Sequence, residues 1–135
     1  MVKAKTLFSA QTTERKNNTA ENLIAAIVQG LQDKKGKNIV LMDLRHLSTA
    51  VTDYFILCSG DSDTHIKALY ESVEEKVEQI LQEKPWHTEG KEFRKWVLLD
   101  YISVIVHIFY PEQRKYYALE DLWGDAYFTY YDDVV

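Results

Sequence analysis

Residues 96–109 read WVLLDYISVIVHIF, and this stretch decides the fold. Trp96 to Asp100 and Val104 to Tyr110 are aliphatic, β-branched and aromatic runs of strand length. Tyr101, Ile102 and Ser103 lie between them, which predicts a β-hairpin. Side chains alternate across a strand, so a turn of even length sorts both arms by parity. Val97, Leu99, Tyr101, Val104, Val106 and Ile108 fall on one face, apolar apart from a hydroxyl and suited to lie under helices. Trp96, Leu98, Asp100, Ile105, His107 and Phe109 fall on the other. Large aromatics beside a carboxylate and an imidazole are the composition of an interface centre, which makes this second face the candidate docking surface. The alternative is that a further helical layer covers it and Trp96 is core.

Upstream, Asn18 followed by Glu21 fits a helix N-cap, and Leu23, Ile24, Ile27, Val28 and Leu31 form one apolar stripe. Lys34, Lys35 and Gly36 supply the stop, predicting a helix over about 19–35. Ile39 to Leu44 and Tyr54 to Ser59 read as strands. Ile66, Leu69, Tyr70, Val73, Val77, Ile80 and Leu81 recur at helical spacing until Pro85. Residues 86–95 read as a polar loop with room for a short strand. Beyond the hairpin, Pro111 opens short helical pieces over Glu112 to Tyr117 and Leu119 to Trp123. The class is α/β or α+β, a mixed sheet of about five strands flanked by helices.

The 135 residues, 46% hydrophobic, suit a single domain over 18–127, preceded by a flexible leader (1–17) and followed by an acidic aromatic tail (128–135). No apolar run approaches the roughly 20 residues of a membrane span, and no secretory signal is apparent. The lone Cys58 permits no internal disulfide, which points to a reducing cytoplasm. A net charge of −5 disfavours direct gripping of nucleic acid and favours a basic protein surface as partner.

Catalytic readings are few. Cys58 sits inside an apolar strand, where a thiol behaves as a small hydrophobe. His46, His65, His87 and His107 lack zinc-site spacing. Asp61 and Asp63, between a strand and a helix start, have the alternate spacing a magnesium-dependent nucleotidyl transferase uses. Capping by Ser62 or Asp63 explains the same residues without chemistry.

Several segments taken in order resemble the ribosomal silencing factor (Iojap-like) family. They are Asp43-Leu44 with Asp53-Tyr54-Phe55, Ser59-Gly60 through His65-Ile66-Lys67-Ala68, Glu89-Gly90, Trp96 to Tyr101, Val106 to Phe109, and Tyr117-Ala118-Leu119-Glu120-Asp121-Leu122-Trp123-Gly124-Asp125-Ala126. The resemblance spans about residues 19–126. It implies a nucleotidyltransferase-like topology without the catalytic site, and no enzyme activity, cofactor or metal. It also implies a cytoplasmic repressor that binds large-subunit ribosomal protein fourteen and sterically blocks joining of the subunits. Trp96 stands where the family places a partner-contacting tryptophan, and Leu98, Asp100, His107 and Glu89 join it as neighbours. Independently of the resemblance, an exposed apolar sheet face can pair with its symmetry mate, which makes a homodimer the alternative partner. The family usually carries glycine at the hairpin tip, where Ile102 stands here. Since isoleucine resists positive φ, the turn is expected to differ in type or length.

Overall fold

The computed structural model describes residues 19–135, so the leader and Asn18 lie outside the described residues. The cap of the first helix, α1 (Ala20–Asp33), is Thr19, whose Oγ1 accepts from the Asn22 amide at 3.3 Å. Leu23, Ile24, Ile27, Val28 and Leu31 are buried along one stripe, as the spacing predicts. At its other end Lys35 donates to Gln32 O at 3.0 Å and Gly36 to Leu31 O at 2.9 Å, a Schellman pair. The left-handed residue of that pair is Lys35, with φ 55°, rather than the expected glycine. Gly36 is needed for space instead, because a Cβ there would lie 2.5 Å from Cys58 Sγ.

The strands β1 (Lys37–Asp43), β2 (Tyr54–Ser59), β3 (His87–Glu89), β4 (Trp96–Asp100), β5 (Val104–Phe109) and β6 (Tyr127–Tyr130) form one sheet. Among the described residues it has six strands, where about five were expected, in the order β3-β4-β5-β2-β1-β6. Only β2 and β5 pair in parallel; the other neighbours are antiparallel. β6 crosses the boundary placed between domain and tail: Tyr127 to Tyr130 pair with β1. Beyond it, Tyr131 N donates to Ile39 O at 3.0 Å. Aromatic and β-branched side chains favour a strand, so the aromatic part of the expected acidic aromatic tail is sheet.

The second long helix, α2 (Asp63–Leu81), crosses α1 on one face of the sheet. Gly30 permits the close approach: a Cβ there would come 2.9 Å from Val73 Cα, and Ser72 Oγ donates to Gly30 O at 2.7 Å. Val97, Leu99, Tyr101, Val104, Val106 and Ile108 are buried in the core between this face and the two helices, as parity requires. Among the described residues no helix is long and apolar enough to cross a membrane.

The opposite face receives α3 (Pro111–Tyr117), the single turn α4 (Leu119–Leu122) and the loop after β1. A second core forms there around Met42, Leu44, Phe55, Leu57, Phe109 and Leu119.

At the hairpin tip Tyr101 N donates to Val104 O at 2.8 Å, leaving Ile102 and Ser103 as the turn. Ile102 has φ 74°, so isoleucine adopts the glycine-like conformation it was expected to avoid. Its amide donates to Asp100 Oδ1 at 2.7 Å, and its carbonyl accepts from Thr52 Oγ1 at 2.7 Å. Such a conformation costs about 1–3 kcal/mol for a non-glycine residue, and these two bonds oppose that cost.

Candidate functional site

Strand register decides which side chains share the second face. Trp96 lies opposite Phe109, Leu98 opposite His107 and Asp100 opposite Ile105. On the far side of β4, Glu89 lies opposite Leu98 and His87 opposite Asp100. Residues directly opposite one another project to the same side, so Trp96, Leu98, Asp100, His107 and Glu89 all belong to one face. Glu89 occupies the edge strand, exposed, and its Oε1 lies 3.1 Å from His87 Nε2.

Trp96 is half-buried, neither sealed into the core nor free. Its ring lies 4.5 Å from Tyr117 of α3 and 5.6 Å from Phe109, centroid to centroid. Its Nε1 donates to His107 Nδ1 at 3.0 Å. Accepting at Nδ1 puts the proton of the neutral imidazole on Nε2, which is buried without a partner in the structure. Burial among Phe55, Trp96 and Phe109 pushes the His107 pKa down to about 3, so the ring is neutral at ordinary pH. His107, 4% exposed, therefore lies beneath the surface and supports the indole rather than offering a contact of its own. Leu98, Asp100 and Ile105 are half-buried beside it.

The covering layer is held by a residue that no local pattern singles out. Arg114 of α3 donates from Nη1 to Asn38 O at 2.6 Å and to Ser59 Oγ at 3.0 Å. Its Nε and Nη2 grip Glu120 at 3.0 and 3.3 Å. This clamp fixes α3 to the sheet and so places Tyr117 against Trp96. Among its acceptors, the Arg114-to-Glu120 spacing alone is local; Asn38 and Ser59 are distant in sequence.

The aspartates weighed for catalysis have structural partners. Ser62 caps α2, its Oγ accepting from the His65 amide at 3.1 Å. Asp63 accepts from Arg94 Nη1 at 3.0 Å, whereas Asp61 is tied through its backbone amide, which donates to His65 Nδ1 at 2.9 Å, and its carboxylate is exposed. Among the described residues no three His, Cys, Asp or Glu side chains converge as metal ligands. The Cys58 thiol is buried, and burial pushes its pKa up to about 12.

Comparison with known proteins follows the same lines. Residues 17–134 match the family described as "Ribosomal silencing factor during starvation". The chain is 35% identical to "Ribosomal silencing factor RsfS" of Halalkalibacterium halodurans over 106 residues, 78% of this chain and 89% of that protein. A shorter match, 34% over 74 residues, covers 53% of this chain and 32% of the mouse "Mitochondrial assembly of ribosomal large subunit protein 1". A crystal structure from Chromobacterium violaceum superposes with a TM-score of 0.73 at 34% identity, covering 78% of this chain and 87% of that one.

Proposed function

Because the chain belongs to the ribosomal silencing factor family, we propose that it binds the large ribosomal subunit through ribosomal protein fourteen and blocks joining of the small subunit by occupying the joining face. The action is steric and needs neither catalysis nor a cofactor. It takes place where ribosomes work, in the cytoplasm.

The observation that carries this reading is the half-buried indole of Trp96, locked by His107 on a sheet face flanked by carboxylates. Trp96 and Leu98 bury apolar area against the partner. Asp100 and Glu89 meet its Lys or Arg side chains. A rigid aromatic anchor with a polar rim loses little entropy on docking, which favours binding by a preformed surface.

Cosedimentation with isolated large subunits tests the reading, with Trp96→Ala as comparison. Retention of the wild type and loss of the variant, together with reduced subunit joining in a light-scattering assay, are expected. Equal retention of both would remove Trp96 from the interface, and no retention of either would remove the function. Light scattering of the free protein over a range of concentrations tests whether a homodimer competes for the same face.

A further inference from the structure

We propose that a second contact surface, centred on Ile102 at the hairpin tip, receives an apolar side chain flanked by lysine or arginine on the same ribosomal partner. The inference rests on the docking reading above, shares Asp100 with it, and adds Val51, Trp86 and Ile102, which that reading does not use.

Val51, Trp86 and Ile102 are 84%, 76% and 65% exposed. With Ile105 and Asp100 they line a cleft of about 340 Å³. They come from separate segments that hydrogen bonds to the backbone hold together: Trp86 N donates to Asp100 O at 2.8 Å, and Thr52, next to Val51, donates to the Ile102 carbonyl at 2.7 Å. A single exposed hydrophobic residue needs no explanation, but three that converge on one cleft point to an interaction surface.

Ile102 supplies the second, independent observation. Its φ of 74° is one that glycine adopts without steric cost. The turn therefore gains nothing from this side chain, and the core does not receive it. The bonds of the turn hold the backbone in this conformation, so what points to a use outside the molecule is an isoleucine, rather than a glycine, kept there with its side chain in solvent.

Position and charge select the occupant. Asp100 and Ile105 stand in the row next to Leu98 and His107, so the cleft and Trp96 share one sheet face and one partner spans both. Asp100 at the cleft and the net charge of −5 complement a basic protein. A second copy of this chain brings the same acidic surface to itself.

The test measures affinity of the full chain for isolated large ribosomal subunits. Trp86→Ser and Ile102→Gly are each expected to weaken binding by about tenfold or more, as loss of an interface anchor does. Ile102→Gly is expected at the same time to raise the melting temperature, a combination that a purely structural role does not produce. Affinities within twofold of wild type for both variants, with Trp96→Ala weakened, would overturn this inference and leave the docking reading standing. Failure of the wild type to bind would remove both. A dimer that dissolves in Trp86→Ser without change in subunit binding would assign the cleft to a second copy and overturn the proposed occupant.

Discussion

The indole N–H of Trp96 and the Nδ1 of His107 face each other across β4 and β5 at 3.0 Å, joining an accessible ring to a buried one. Protonating His107 would place a charge in an apolar setting and remove the acceptor that holds the indole.

This coupling predicts an acid-sensitive stability. The unfolded-state histidine has a pKa near 6.5 and the folded one about 3, so between these values the unfolded state binds more protons. Stability from this group is complete above pH 6.5 and falls as the pH drops through the window, by up to about 1.4 kcal/mol per unit. Urea unfolding at pH 7.5, 6.0 and 5.0 should show the decline, and His107→Phe should flatten it. An unchanged slope in the variant would exclude His107 as the source.

Gly30→Ala sets helix propensity against packing. Alanine gains about 1 kcal/mol in an isolated helix. Here its Cβ meets the α2 backbone at 2.9 Å, and backbone cannot rotate away as a side chain can. Overpacking of this kind costs about 1–3 kcal/mol, so a net destabilisation is expected in chemical denaturation; a stabilised variant would mean that the helices separate freely.

Arg114→Met should cost about 2–3 kcal/mol, because it removes charge-assisted bonds to Glu120 and the bonds to Asn38 and Ser59. Hydrogen exchange should show α3 and α4 opening before the rest of the domain. Trp96 fluorescence should shift as Tyr117 leaves its ring; uniform exchange and an unaltered spectrum would argue that the clamp carries no such load.

Cys58 should resist thiol reagents in the native protein and react at the rate of a free thiol in denaturant, since it is fully buried with a raised pKa. Rapid native-state labelling would place the thiol at the surface.

The hairpin and its two faces were legible because a period of two is a local property of the chain. The same holds for the stripes of α1 and α2, and for Ser62 as the α2 cap. Positive φ at Lys35 and Ile102 was not legible, since neither residue type asks for it; the bonds of Gly36 to Leu31 and of Thr52 to Ile102 impose it. β6 was hidden because its pairing with β1 is long-range and its four residues are too few to show a period of their own. The depth of His107 was likewise invisible. Parity assigned its face, but only tertiary packing decides whether a residue on that face lies under Trp96 or beside it.

The place of β6 in the sheet bears on how the chain is made. A ribosome releases β1 early and β6 last of the six strands, so during synthesis the outer margin of β1 waits, unpaired, with its backbone amides and carbonyls available to any other strand. Nascent chains crowded on one messenger are then open to mispairing at that margin, and a helper that shields newly emerged strands would matter most for this protein in the interval before Tyr127 clears the tunnel.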